Sequence, residues 1–518
     1  MSAPAAANPN AGKPLTGPAL RLTAFALALG TFMQVLDGTI ANVSLPTIAG
    51  NLGASTDDAT WVITAFAAAN GVTVPLTGWL MGRFGVVRTF VVSVSLFTLT
   101  SFLCGMAASL PMLVVFRLLQ GAVSGPMIPG SQALLIAIFP PQKRALALGV
   151  WSITALVGPV AGPILGGYIS DNYHWSLIFL INVPVGVFSG LVAWRGLRGR
   201  ETPTRKLPID TVGLILLAVW VGALQCVLDL GKNADWFNSR LIVILTAVAA
   251  IAFVAWLIWE LTDAHPAVDL SLFSNRNFAL GTTAFCLGYA LFFANNLLLP
   301  VWLQQQLAYT ATWAGLVSAP SGAVAVVLTP VLTRFGVRLD ARWLATLAFA
   351  AFGASYFMRA DETTYSDFTH FMLPLLVQGV AMSTFFMAML TISLHGVSPE
   401  RTPSATGISN FARITGGSFA ASIFTTLWDR RESLHQTRLA DSATPFSPVF
   451  AHATQALSAG GLSAPQAAGV LTKQMVGQAY LLSSIELFWI CGWLSLAMIG
   501  LVWLANRPAA HEGPIAAD

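Results

Sequence analysis

Fourteen apolar stretches, most separated by short loops, decide what this chain can become. Their approximate bounds are 21–46, 58–82, 86–108, 111–138, 143–170, 174–195, 210–230, 239–260, 277–304, 313–335, 340–359, 368–395, 401–428 and 479–506. About twenty residues of helix cross the ~30 Å hydrocarbon core of a bilayer. A helix keeps its backbone hydrogen bonds inside one segment, as lipid requires. The pattern therefore predicts an all-α membrane protein. Of the 518 residues, 55% are hydrophobic and 9% charged, against about 25% charged in soluble domains. That shortfall excludes an ordinary cytosolic enzyme.

An even number of spans puts both termini on one side. With the N-terminus in the cytoplasm, seventeen of the 26 Lys and Arg fall inside and seven outside, and Arg117 and Arg413 lie within spans. That bias fits the excess of basic residues in cytoplasmic loops and predicts a multi-pass membrane protein with both termini cytoplasmic. The sequence pI near 9.0 then reflects topology anchors. The basic residues form no stripe or arm suited to nucleic acid. The densest cluster is Arg195, Arg198, Arg200, Arg205 and Lys206. The expected organisation is a disordered cytoplasmic N-terminus (1–20), an N-terminal six-helix half (21–195), a linker with two additional transmembrane helices (196–276), a C-terminal six-helix half (277–506) with a periplasmic loop at 429–478, and a cytoplasmic tail (507–518). The opening residues do not resemble a cleavable signal peptide. Cys104, Cys226, Cys286 and Cys491 sit in apolar segments without a CxxC pair and read as free buried thiols. No GxxxxGK[ST] loop and no metal-ligand cluster is found. This argues against a primary ATP-driven pump unless another chain supplies the motor, and no cofactor or metal is expected.

The chain repeats itself weakly. Leu118-Leu-Gln-Gly121 recurs as Leu376-Val-Gln-Gly379, Pro141-Gln-Lys143 as Pro399-Glu-Arg401 and Gly149 as Gly407, all 258 residues later. Arg83-Phe-Gly-Val86 recurs as Arg334-Phe-Gly-Val337 at an offset of 251. The repeat implies two six-helix halves of like orientation with two helices inserted between them. Such parallel halves place a substrate site near the midplane between them.

Asp37 lies in the otherwise uncharged first span. A carboxylate at that depth costs a few kcal/mol or more, so it calls for a partner or a task. On a helix Gln34, Asp37, Gly38, Ala41 and Ser44 share one stripe, small and polar, which is expected to face a cavity. Burial favours the neutral carboxyl and a nearby cation favours the charged one. An acid balanced between the two can exchange a proton for a cationic or neutral substrate. The alternative is a structural acid locked in an ion pair. Arg117, in Phe116-Arg-Leu-Leu-Gln-Gly121 of the fourth span, is the first candidate partner, because the repeat has Leu375 at its counterpart position. Arginine stays charged at any relevant pH. Its alternative role is a packing ion pair. Asn42, Gln120 and Gln378, with Gln34, are candidate polar groups of a substrate cavity. Glu486 in the last span and Arg413 in the thirteenth are further intramembrane charges, and Glu486 is a candidate to share the proton. Asp229 and Glu260 sit at predicted helix ends, where they can reach water.

Gly158, Gly162 and Gly166 in the fifth span are spaced by four and form a groove for close helix approach. Pro159 and Pro163 interleave with them and remove backbone donors. Gly167 completes the run. Such a helix is suited to pack against the eighth helix of a twelve-helix core and seal one gate. Between the second and third spans, Gly78-Trp-Leu-Met-Gly-Arg-Phe-Gly-Val-Val-Arg88 makes a tight loop. In it Gly78, Arg83, Gly85 and Arg88 form a candidate cytoplasmic latch or, alternatively, ordinary topology anchors. Residues 429–478 form the longest extramembrane stretch, with helical character near 465–476. Loops of this length are commonly functional or disordered, and this one reads as a docking surface for a periplasmic partner or a passive cap.

These residues resemble the fourteen-helix drug:proton antiporter group of the major facilitator superfamily. The resemblance is carried by LDGTIANVSLP (36–46), PLTGWL (75–80), FRLLQG (116–121), GPVAGPILGGYISDNYHW (158–175), FLINVPVG (179–186), VDLSLFSNRNF (268–278) and YTATWAGL (309–316), and runs from about residue 20 to 506. It implies a major facilitator fold of two six-helix halves plus two inserted helices, 14 transmembrane helices in all. It also implies proton-motive efflux of hydrophobic or amphipathic drugs by alternating access. A periplasmic membrane-fusion adaptor and a TolC-like outer-membrane channel are the implied partners. By position, Asp37 matches the group's first-helix acid, Arg117 its fourth-helix arginine and Gly158–Gly167 its antiporter motif. The superfamily's loop motif carries an acid where this chain has Gly82, so Arg83 needs another partner. A dedicated exporter of one metabolite, such as a fatty acid, siderophore or antibiotic, has the same motifs, and a transport-inactive scaffold or sensor is a third reading.

Overall fold

The computed structural model describes residues 14–140, 143–204, 210–263, 266–335, 340–364, 366–443 and 447–507. Among them the only regular structure is helical: α1 Gly17–Asn51, α2 Thr56–Ala59, α3 Trp61–Thr73, α4 Thr77–Phe84, α5 Val86–Gly105, α6 Leu110–Ser124, α7 Met127–Ile138, α8 Arg144–Asn172, α9 Leu177–Leu180, α10 Asn182–Leu197, α11 Thr211–Leu230, α12 Arg240–Thr262, α13 Arg276–Gln306, α14 Ala311–Phe335, α15 Ala341–Arg359, α16 Phe368–Ser393, α17 Thr402–Ser442, α18 Pro448–Ala459 and α19 Ala464–Trp503. Residues 1–13, Pro141 and Gln142 of the repeat, Arg205 and Lys206 of the basic cluster, Gly336 and Val337 of the repeat, and the tail 508–518 lie outside this description. Helix α1 already covers 17–20, inside the stretch expected to be disordered.

Each of the fourteen apolar stretches coincides with a helix or a broken helix. Eleven are long and apolar enough to cross a membrane, and twelve if α3 and α4, bent by 58°, count as one span. Pro75 sits in that break and has no backbone donor to continue the ladder. The expected count of fourteen is thus not reached on length and apolarity. The two that fall short are α15, with Arg342 and Arg359, and the 41-residue α17. Helix α17 buries Thr406, Ser409 and Asn410 inside the bundle, so it has less need of a lipid-facing apolar surface.

The same packing scheme occurs twice. In the first half α1 lies on α8, α3 on α6, and α5 on α10; in the second α13 lies on α17, α14 on α16, and α15 on α19. The glycines of the repeat explain two of these pairs. A Cβ on Gly121 would collide with the Phe66 carbonyl, and one on Gly379 would stand 2.6 Å from the Ser321 carbonyl oxygen. Close approach of this kind is how helices associate where lipid removes the hydrophobic drive. The halves meet through α8 on α14, and through α17 on α4 and α7. Asn410 donates to Gln132 at 3.0 Å across the second seam. The inserted helices α11 and α12 pair with each other at the edge, with α11 resting on α3 and α17.

The long loop is largely helical. Helix α17 runs on to Ser442, α18 covers 448–459 and α19 begins at Ala464, with a Ser463–Gln466 capping box at its start. Glu260 does not reach water as expected. It is 4% exposed and accepts from the Val268 backbone at 3.2 Å, because the chain after α12 folds back with Val268 and Leu272 buried. Asp229 is held by Gln225 at 3.0 Å. All four cysteines are free, with Cys104 and Cys491 fully buried.

Two glycine substitutions should move stability in opposite directions. Gly121→Ala forces α6 away from the α3 backbone and should cost about 1–3 kcal/mol. Gly222→Ala, whose Cβ would meet nothing within 4 Å, should be neutral or gain up to about 1 kcal/mol of helix propensity. Thermal unfolding in detergent, followed by fluorescence, checks both; equal losses would remove the close-approach explanation.

Candidate functional site

Helices α1, α6 and α10 bring four polar side chains together inside the first half. Asp37 is 0% exposed and Arg117 1%. Arg117 Nη1 donates to Asp37 Oδ2 at 2.5 Å and to Gln120 Oε1 at 2.8 Å, while its Nε donates to the Val62 carbonyl at 3.2 Å. Asp37 Oδ1 accepts from Asn182 Nδ2 at 2.8 Å and from Gln120 Nε2 at 3.2 Å. Asn182 also donates to Ser101 Oγ at 3.0 Å, and Ser101 donates onward to the Phe179 carbonyl at 2.9 Å. The guanidinium lies over Phe66 at 4.3 Å and Phe179 at 5.4 Å. Every carboxylate oxygen and two guanidinium nitrogens therefore have partners, as a buried ion pair requires.

The sequence brought Asp37, Arg117 and Gln120 forward as candidates, and the structure joins them. It did not single out Asn182, although the residue lies in the FLINVPVG stretch. Its signal was an amide inside an apolar helix. The stripe expected to face a cavity divides. Asp37 turns inward toward α6 and α10, and Ser44 accepts from Ser170 of α8 at 2.8 Å. Only at Gly38 does the space for a side chain stand empty. Gln120 is spent on the cage and does not line a cavity. Gln34 Oε1, Asn42 Oδ1 and both amide atoms of Gln378 are buried without a hydrogen-bond partner.

Glu486 is not near Asp37. Its side chain is 37% exposed, and it pairs with Arg431 at 3.4 Å and His435 at 3.2 Å on the outer extension of α17. Helix α17 continues past its apolar stretch, and its residues 431–435 meet α19 at Glu486. Arg413 lies over Tyr289 at 4.5 Å and donates to Asn410 at 3.3 Å.

The glycine groove receives α1 and not α14. A Cβ at Gly158 would press on Val35, one at Gly162 on Thr39, and one at Gly166 would stand 3.0 Å from the Ile40 carbonyl oxygen. Thr39 donates to the Gly158 carbonyl at 3.3 Å. Pro159 and Pro163 sit inside one continuous helix, and Gly167 is buried. Helix α8 does pack on α14, but there the small residue is Gly315, 3.2 Å from the Ile164 nitrogen if it bore a Cβ.

In the tight loop, Gly78 lets α4 meet the start of α17: a Cβ would lie 2.8 Å from Ser404 Cα. Gly85 has φ of 95°, a region that favours glycine, and begins α5. Arg83 lies over Trp79 at 5.5 Å and Arg88 is exposed. The acid of this loop comes from elsewhere. Glu201 accepts from the backbone nitrogens of Val87 and Arg88, both at 2.9 Å. A carboxylate there satisfies orphan donors and favours the helix dipole. Its signal was hidden in a charged linker.

Residues 27–421 match the Major Facilitator Superfamily. The chain is 48% identical over 502 residues to the multidrug export protein EmrB of Escherichia coli K12, covering 97% of this chain and 98% of that protein. It is 45% identical over 500 residues to the fatty acid resistance protein FarB of Neisseria gonorrhoeae, covering 96% and 98%. In fold it is similar to an inward-facing bacterial homolog of the human lysosomal transporter Spinster, at a TM-score of 0.57, 17% identity, and coverage of 96% of this chain and all of that one. The chain belongs to the major facilitator superfamily. It is a multi-pass membrane transporter and not an enzyme.

Removing one partner of the buried pair should be worse than removing both charges. Arg117→Met leaves Asp37 unpaired and should cost about 3–5 kcal/mol, while Arg117→Met with Asp37→Asn should recover part of it. Thermal stability of the four purified proteins forms the cycle; purely additive losses would mean that the two residues do not act as a pair.

Proposed function

We propose that this transporter is an inner-membrane, proton-driven multidrug efflux antiporter that exports hydrophobic and amphipathic compounds. In this reading both termini are cytoplasmic, and the protein works with a periplasmic adaptor and an outer-membrane channel. The observation that carries the reading is a carboxylate wholly removed from water and bound to an arginine, in a chain nearly half identical to EmrB.

The cage indicates how a proton acts. A proton arriving at Asp37 Oδ2 removes the charge that Arg117 balances. Arg117 keeps Gln120 Oε1, the Val62 carbonyl and two aromatic faces, so the cation is not stranded. The tie between α1 and α6 weakens while Asn182 keeps its hold on Ser101. Helix α1 is clamped to α8 along the glycine groove, and α8 presses on α14 across the two halves. A shift of α1 therefore reaches the seam that must open and close. Loss of the proton to the other side restores the pair.

The likeness to FarB favours a second reading, in which fatty acids are the main cargo. In proteoliposomes with an imposed pH gradient, the wild-type protein should move dyes, uncouplers and fatty acids, and Asp37→Asn should lose proton-driven movement of all of them. Unchanged transport by Asp37→Asn would end the coupling role, and movement of fatty acids alone would favour the second reading.

The outer helical extension is the proposed adaptor surface. Replacing residues 443–461 with a short Gly-Ser linker should leave membrane insertion intact and weaken co-purification with a periplasmic adaptor. Undiminished co-purification would remove this segment from the interface.

A further inference from the structure

The second half holds a buried ion pair of a different kind. Arg359, the last residue of α15, is 1% exposed, and Glu362, in the loop that follows, is 5% exposed. Arg359 Nε lies 3.5 Å from Glu362 Oε1, and the guanidinium sits over Phe488 of α19 at 4.1 Å. Tyr356 of α15 and Cys491 of α19 are buried in the same region.

What distinguishes this pair is incomplete satisfaction. Arg359 Nη2 is buried without a hydrogen-bond partner, and Arg359 Nε and Glu362 Oε1 face each other only at 3.5 Å, the outer limit of a hydrogen bond. Arg117, by contrast, spends both Nε and Nη1 on oxygen acceptors. A buried polar group without a partner costs about 1–3 kcal/mol, and more if charged. A long, loosely held pair at the end of α15 is suited to a carboxyl that gains and loses a proton.

We propose that Glu362 is a second proton-exchanging carboxyl of this transporter, separate from Asp37 and placed just past the end of α15. The proton comes from water and binds the Glu362 carboxyl. The acid becomes neutral and gains an O–H donor, while Arg359 keeps its charge and is held by Phe488. On release the carboxylate re-forms the pair. Among the described residues, Arg359 is the charged group that acts on Glu362 directly. Burial pushes the Glu362 carboxyl up to about 7 even against the Arg359 charge. The protonated form therefore accumulates as pH falls through neutrality, well above the usual range for glutamate. The carboxyl also has a mechanical link: Gln478 of α19 donates to Thr364 at 2.8 Å, tying this loop to the outer extension.

Assigning the proton to the periplasmic side rests on the proposed efflux reading, but the titration does not. Infrared difference spectroscopy of the full-length protein in nanodiscs, between pH 8 and pH 5.5, reads it without any transport. A protonated-carboxyl band above 1700 cm⁻¹ should grow with a midpoint near 7, shift with ¹³C-glutamate labelling of the wild-type protein, and vanish in Glu362→Gln. In Arg359→Gln the midpoint should move to higher pH. Where a variant does not purify, the labelled wild-type protein still decides. No glutamate band with a midpoint between pH 6 and 8, or a band unchanged in Glu362→Gln, would overturn the proposal. Loss of transport in Asp37→Asn with this band intact would leave it standing.

Discussion

The pair of Asp37 and Arg117 sets the terms for the first half of the molecule. Moving either ion out of water costs several kcal/mol even after relaxation. The attraction between them repays this only with good geometry and with the remaining lone pairs and protons satisfied. This accounts for what surrounds them. Gln120 sits one turn from Arg117 and bonds both partners. Asn182 reaches in from α10 and is itself held by Ser101 of α5. Phe66 and Phe179 cover the guanidinium. Helices α1, α3, α5, α6 and α10 all contribute, so the pair is also the point where the half is tied together. A change of charge there cannot stay local.

The two halves answer the repeat differently. Gln120 and Gln378 stand at matching positions, each beside a glycine that packs on the facing helix. Gln120 is fully engaged, whereas Gln378 has no partner for either amide atom. With Leu375 where the first half has Arg117, there is no cation on α16 for Gln378 to serve. The second half places its buried cations elsewhere, at Arg359 on α15 and Arg413 on α17. The fold has been kept twice, while the polar chemistry has been kept once and rebuilt once.

Most of the architecture was legible because lipid leaves few choices. Apolar length marked the helices, and a charge in an apolar run marked Asp37 and Arg117. What the sequence hid has specific causes. Asn182 carries no charge, so nothing set it apart from a tolerated amide. Glu201 sat in a basic linker, where an acid looks like a solvated neighbour, and only the fold brings it to the first turn of α5. The partners of Glu486 and Glu260 were hidden for related reasons. A helix that runs past its apolar stretch brings Arg431 and His435 to Glu486. A chain reversal after α12 covers Glu260 with Val268. In both cases polarity along the chain reported composition, while exposure was decided by what folds back onto it.

The glycine groove changes how motion must travel. Had it faced α14, as expected, the gate would sit directly on the motif. Instead Gly158, Gly162 and Gly166 bring α8 against the backbone of α1, within a turn of Asp37. A contact this close leaves little room for the two helices to slide, since the lining atoms are Ile40 main chain and Thr39. Helices α1 and α8 must then move as one body. The contact across the halves is equally close: a Cβ on Gly315 would stand 3.2 Å from the Ile164 nitrogen. The motif thus joins α8 to the helix that carries the acid, while Gly315 brings α14 of the second half against the same α8.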